Sequence, residues 1–170
     1  PGGLGGWVSF VKGPLLAPLE LPPGVKERTD ASGDISVQLD KDHLREQLND
    51  LKAKGEVEAL TISFVNSYIN NKNEVKAAKI AAEIFTDIPI SISSEVIPEM
   101  QEYERAETTV LNSYVRPQVS NYVNNLQASL EKSLGNDVQL SILRSDGGLA
   151  SSRATGDSPV NHLMSGPAGG

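Results

Sequence analysis

Two glycine-rich corners carry the chemistry on offer in this sequence. The first is Asp146-Gly147-Gly148, which follows an apolar run and sets a carboxylate beside two residues without side chains. The second is Ser165-Gly166-Pro167-Ala168-Gly169-Gly170, after the apolar-leaning run Val160 to Met164. Small residues leave backbone N–H groups uncovered, so an anion can approach closely. If a helix begins near Gly169, its first amides would favour a phosphate. On these few residues alone, an ordinary tight turn is the favoured reading of the Asp146 corner. Neither is a phosphate-binding P-loop, because no Gly-Lys-Ser/Thr follows, and neither has the G-x-G-x-x-G spacing of a dinucleotide fingerprint.

Other chemistries find little support. The two histidines, His43 and His162, cannot build a His-rich metal site, and there is no cysteine for a thiolate site or a disulfide. No nucleophile-elbow motif presents a serine. Glu102, Glu104, Arg105 and Glu107 open a long helical stretch. Acidic residues at a helix start answer the helix dipole, and Arg105 would pair with a neighbouring carboxylate. The sharper alternative puts one of these carboxylates in a cleft as a ligand or base.

Composition narrows the partners. The formal charge is −7 and the 15 basic residues are scattered, which argues against nucleic acid. Apolar runs are too short to cross a bilayer, so no membrane partner is expected. Cysteine-free composition suits a reducing, cytoplasmic compartment. The chain opens on Pro1-Gly2-Gly3 and stops on a glycine run, which reads as an internal slice of a longer protein.

The corners need elements to hold them. Residues 1–26 carry five of the ten prolines and read as an extended leading segment with one short strand at Trp7–Val11. Val25–Thr29 and Ile35–Gln38 flank Asp30-Ala31-Ser32-Gly33, a hairpin signal with Gly33 placed for a positive φ. Asp40 caps a helix with Leu44, Leu48 and Leu51 on its apolar side, and Gly55 ends it. His43 falls on its solvated face. Ala59–Val65 reads as a strand covered on both sides, Asn73–Phe85 as an Ala-rich helix, and Ile88–Ser93 as the next strand. A helix then runs from about Glu99 to Leu134. Its expected stripe is Val119, Val123, Leu126, Leu130 and Leu134, and Pro117 should kink or interrupt it. Val138–Leu143 is a third apolar strand. The order predicts an α/β fold: a β-hairpin, then alternating α-β-α-β-α-β with a largely parallel sheet. Ligands then belong at the carboxyl ends of the strands, where the amides of Gly147 and Gly148 would stand unpaired within the chain.

Five ordered motifs go further. They are Glu27-Arg28-Thr29-Asp30-Ala31-Ser32-Gly33, Glu95-Val96-Ile97-Pro98-Glu99, the run Glu102-Tyr103-Glu104-Arg105 with Thr108 to Val115, Ser145-Asp146-Gly147-Gly148-Leu149, and Ser165 to Gly170. Together they resemble the hydantoinase A/oxoprolinase family over essentially the whole chain. The resemblance implies ATP-dependent opening of lactam or hydantoin rings by phosphorylation of the ring carbonyl oxygen. In a carboxylase branch the same ATP chemistry activates a ketone or carbonate. It implies ATP and Mg²⁺, a cyclic amide substrate, a hydantoinase B-like subunit or domain, and an oligomeric parent. It also implies an actin/hexokinase-like, ribonuclease H-like lobe. Residues 27–144 would form part of the first lobe and 145–170 the crossing into the next. Asp146, Gly147, Gly148, Ser165, Gly166, Gly169 and Gly170 become nucleotide-side or hinge positions, and no catalytic base is assigned. Neither Gly-Gly-Thr phosphate hairpin of the family occurs, so these 170 residues alone should not turn over ATP. The chain also departs from the family. Asp146 stands where Asn is common and Arg144 where an uncharged residue is usual. Asn66-Ser67-Tyr68 replaces His-Ser-Tyr, and Asn70-Asn71 replaces Asn-Pro. An autonomous, non-enzymatic α/β binding domain is the competing class.

Overall fold

The computed structural model describes residues 24–55, 57–135 and 137–170. The strand at Trp7–Val11 and most of the leading segment lie outside the described residues. Strand β1 (Arg28–Thr29) and β2 (Ile35–Val37) form the expected antiparallel hairpin, with Gly33 at φ +90°. Helix α1 (Lys41–Lys54) starts where the Asp40 carboxylate accepts the His43 N–H at 3.0 Å. It ends at Gly55, φ +76°, whose N–H returns to Lys52 O. Then come β3 (Leu60–Ile62), α2 (Lys72–Ile84), β4 (Ile90–Ile92), the short α3 (Ser93–Val96) and the 33-residue α4 (Glu102–Leu134). Strands β5 (Ser141–Leu143) and β6 (Leu149–Ser151), helix α5 (Ser152–Asp157), a 3-10 turn (Pro159–His162) and α6 (Ser165–Gly169) complete the chain.

Strands β3 and β4 pair in parallel, Leu60 with Ile90 and Ile62 with Ile92. The two-residue period of a strand sorts their side chains. Leu60, Ile62, Ile90 and Ile92 pack into a core with Leu44, Leu48 and Leu51 of α1 and Ala77, Ile80 and Ala81 of α2. Ala77 and Ala81 are one turn apart and fully buried, which lets α2 lie close to the sheet. The other face is polar. Thr61 Oγ1 donates to Ser113 Oγ at 2.6 Å, and Ser91 Oγ accepts from Asn112 Nδ2 at 3.2 Å, both partners on α4.

The parallel sheet is smaller than the alternating pattern predicts. Among the described residues it holds two strands, and β5 does not join it. Strand β5 instead pairs antiparallel with β6, because Gly147 at φ +83° lets the chain fold straight back. Helix α4 also departs from expectation. It runs through Pro117 without interruption. Proline removes one helical hydrogen bond, while side-chain bonds from Arg105, Asn112 and Arg116 hold the preceding turns in place. Its face toward the sheet is Arg105, Thr109, Asn112 and Ser113, all buried. Of the expected apolar stripe only Val123 is fully buried, and Leu134 is 69% exposed. No described helix is long and apolar enough to cross a membrane.

Candidate functional site

The carboxyl ends of β3 and β4 converge on a buried polar cluster. Glu74, in the first turn of α2, has no exposed surface. Its Oε1 accepts the Phe64 N–H at 2.7 Å and the Ser93 hydroxyl at 2.6 Å, and its Oε2 accepts the Ser94 N–H at 2.9 Å. Three donors replace the water that this carboxylate lost. One carboxylate thus ties together the segments leaving both parallel strands.

Arg105 approaches the same Ser93 from α4. It is 1% exposed. Its Nε donates to Ser93 Oγ at 3.1 Å, Nη1 to Glu99 O at 2.9 Å, and Nη2 to Phe64 O at 2.9 Å and to the Glu102 carboxylate. The guanidinium lies over the Tyr68 ring, 5.5 Å from its centroid. Ser67 Oγ completes the group, 3.1 Å from Ser93 Oγ. Asn66 holds the loop after β3 with φ +58°, donating Nδ2 to Thr29 O at 2.8 Å and its own N–H to Glu102 Oε1 at 3.0 Å. Asparagine tolerates that left-handed conformation better than most residues.

Beside it, Asn73 Nδ2 donates to Glu27 Oε2 at 2.9 Å, while its buried Oδ1 has no partner. Burial raises the Glu27 carboxyl above its ordinary range, and the nearby Glu74 adds to this. Asn73 and Arg28 act in the opposite direction. Lys52, Phe85 and Asp87 line a shallow depression at the opposite end of the parallel pair.

The two glycine corners come together elsewhere. Asp146, Gly147 and Gly148 form the exposed turn between β5 and β6. The Gly147 N–H donates to Arg144 O at 3.1 Å, and the Gly148 N–H to Asp146 Oδ1 at 2.9 Å. Both amides are therefore paired within the chain, against the expectation that they stand open. The backbone turn itself takes the Gly147 amide, and the Asp146 carboxylate takes that of Gly148 by closing an Asx turn. Arg144 Nη2 neutralises it at 2.9 Å. The hairpin also means that this turn does not end a strand of the parallel pair.

Ser165, Gly166 and Gly169 lie in α6, a short helix where a turn was expected, and Gly170 caps it. This helix begins at Ser165, so the Gly169 amide is not at its start. The segment sits against the hairpin. Met164 N–H donates to Ser145 Oγ and His162 Nδ1 to Leu143 O, each at 2.9 Å, and Ser145 N–H donates to Asn161 O at 2.8 Å. A methyl group on Gly169 would stand 2.6 Å from Leu143 Cδ2.

Sequence reasoning placed Arg105 with a neighbouring carboxylate, and it pairs with Glu102. It missed Glu74 and Ser93 as the centre of the cluster. An acid in a first helical turn carries no mark of burial. The polar set Arg105, Thr109, Asn112 and Arg116 does carry a signal, since i, i+4, i+7, i+11 is one helix face. His43, read as solvated, is half-buried with an unpartnered Nδ1. No group of three acidic or histidine side chains able to hold a metal occurs among the described residues.

Two family descriptions match this chain. The hydantoinase/oxoprolinase N-terminal region matches residues 13–85, and hydantoinase/oxoprolinase matches residues 105–170. An uncharacterized protein of Methanocaldococcus jannaschii is 37% identical over 146 residues, 86% of this chain and 21% of that protein. The caprolactamase alpha subunit of Pseudomonas jessenii is 31% identical, over 91% of this chain and 22% of its own length. The crystal structure of that ATP-dependent caprolactamase superposes with a TM-score of 0.81, at 30% identity over 94% of this chain and 23% of the other. Nucleotide-free acetone carboxylase superposes with a TM-score of 0.83, at 28% identity over 97% of this chain and 23% of the other. The chain thus spans about a fifth of the length of these relatives. Glu74 falls within the first match, Arg105 and the hairpin turn within the second, and Ser93 between the two; the chain belongs to the hydantoinase/oxoprolinase family.

Proposed function

We propose that this chain is part of an ATP-dependent enzyme that opens a cyclic amide such as a hydantoin, 5-oxoproline or a related lactam. The observation that carries this reading is the 31% identity to a caprolactamase alpha subunit across 91% of the chain. The close superposition on acetone carboxylase favours a second reading, an ATP-using carboxylase subunit of the same family. In either case the lobe would be actin-like, with residues 27–144 in the first lobe and 145–170 crossing to the next. A hydantoinase B-like subunit or domain would complete the enzyme.

When bound, ATP with Mg²⁺ would supply the phosphoryl group that makes the substrate oxygen a better electron sink. The fit of this chain's residues to that group is partial. Gly147 is open, and a methyl group built on it meets nothing within 4 Å, so a ligand can approach its backbone closely. Its amide and that of Gly148 are already engaged, so they do not form a ready phosphate cradle. Asp146, Gly147, Gly148, Ser165, Gly166, Gly169 and Gly170 therefore suit a border or hinge of a nucleotide site better than its anion-binding floor. Arg144 supplies the positive charge that offsets Asp146 there. The Glu74–Arg105 cluster holds the strand ends rigid and leaves neither charge free for catalysis.

The test is phosphate release by the full-length protein with its partner subunit, supplied with MgATP and either a lactam panel or a ketone with bicarbonate. Lactam-dependent release supports ring opening. Release only with ketone and bicarbonate replaces it with the carboxylase reading. Release with neither refutes both.

A further inference from the structure

Asn112 has no exposed surface, and its amide bonds in two directions. Nδ2 donates to Ser91 Oγ on β4 and to Asp157 O at the end of α5, each at 3.2 Å. Oδ1 accepts the Val160 N–H at 3.2 Å. One turn along α4, Arg116 repeats the pattern. Its Nη1 donates to Ile90 O and its Nη2 to the Asp157 carboxylate, both at 2.6 Å. A turn further, Ser120 Oγ donates to Gly156 O at 2.8 Å. A methyl group on Gly156 would stand 3.3 Å from that hydroxyl, so the glycine permits the close approach.

The segment held in this way leads directly to the Asp146 turn. Asn161 O, His162 Nδ1 and the Met164 N–H bond Ser145 N–H, Leu143 O and Ser145 Oγ in turn. A continuous series of hydrogen bonds therefore runs from the middle of β4, through α4, to the base of the glycine turn. The three side chains that make it, Asn112, Arg116 and Ser120, are polar and share one face of α4 with the buried Val123. A buried amide is costly unless all its bonds are made, so the connection holds in one arrangement only.

We propose that Asn112 is a positioning residue that fixes the Asp146–Gly148 turn relative to the parallel pair, with 157–164 as the strut. The ligand consequence rests on the nucleotide-side reading of that turn. The mechanical claim does not.

Amide hydrogen exchange in the full-length protein tests the mechanical claim. Asn112→Asp keeps the shape and the acceptor for Val160 but loses both donors. Exchange at Ser145 and Met164 should accelerate about tenfold, with Leu60 unchanged. Arg116→Lys, a milder change, should give a smaller effect at the same sites and keeps the test open if Asn112→Asp does not fold. Equal acceleration at Leu60, or none at Ser145 and Met164, overturns the proposal. MgATP affinity on the same proteins should weaken about tenfold in Asn112→Asp. Unchanged affinity there, with affinity lost in Gly147→Val, overturns the ligand consequence, and the exchange result then decides the strut. Unchanged affinity in Gly147→Val overturns the nucleotide reading alone, and the exchange result then decides the strut.

Discussion

Replacing Arg105 with methionine tests whether the cluster at the strand ends holds the fold. Methionine preserves most of the aliphatic stem and removes every donor. Four bonds disappear, to Ser93 Oγ, Glu99 O, Phe64 O and the Glu102 carboxylate. The first three involve a charged donor and a neutral acceptor, in a site where the guanidinium is 1% exposed. Bonds to a charged group are worth about 1.5–3 kcal/mol each, and removing the guanidinium also removes its burial cost, which offsets part of that sum. The pair with Glu102 adds less than about 1 kcal/mol, because that carboxylate is 40% exposed and screened by water. The expected loss is therefore about 3–5 kcal/mol, a large part of a typical domain's stability. The control is Arg45→Met, which breaks the Arg45–Glu83 pair whose side chains are 43% and 57% exposed. It should cost less than about 1 kcal/mol. Urea denaturation followed by far-UV circular dichroism measures both. A loss below about 1 kcal/mol for Arg105→Met would refute the claim that this arginine ties the strand ends to α4.

Gly33→Ala should destabilise by about 1–3 kcal/mol in the same assay, since φ is +90° and the new methyl would stand 2.8 Å from Ile69 Cγ2. Adding Ile69→Ala should recover the steric part and leave the backbone part. Glu27→Gln should flatten the pH profile of stability. The folded Glu27 carboxyl is raised above its unfolded value, so the native state holds more protons between those two values. Stability falls as pH rises through that window and is unaffected by this group below it. An unchanged slope in Glu27→Gln would remove Glu27 as its source.

Much of the local structure was legible in the sequence, for reasons that act over a few residues. Asp40 and Gly55 bound α1 because a side-chain acceptor and a left-handed glycine satisfy helix ends without help from elsewhere. Leu44, Leu48 and Leu51 lie on one face because the helix repeats every 3.6 residues. Gly33 marks the first hairpin for the same local reason. The family motifs are also local strings, so membership could be read before any contact was known.

Contacts between distant residues decided the rest. Val138 to Leu143 has the composition of a buried parallel strand, and only its pairing with β6 shows otherwise. Glu74 looks like any acid in a first helical turn; its burial follows from the meeting of Phe64, Ser93 and Ser94, which lie 10, 19 and 20 residues away along the chain. The polar face of α4 was hidden by the apolar residues nearer its carboxyl end, because hydrophobic periodicity says nothing about which stretch of a 33-residue helix meets the sheet. The turn amides at Gly147 and Gly148 needed the observed positions of the Arg144 carbonyl and the Asp146 carboxylate to be counted as paired. A sequence displays propensity and period, whereas the partner of a buried charge is set by where the folded chain brings another donor.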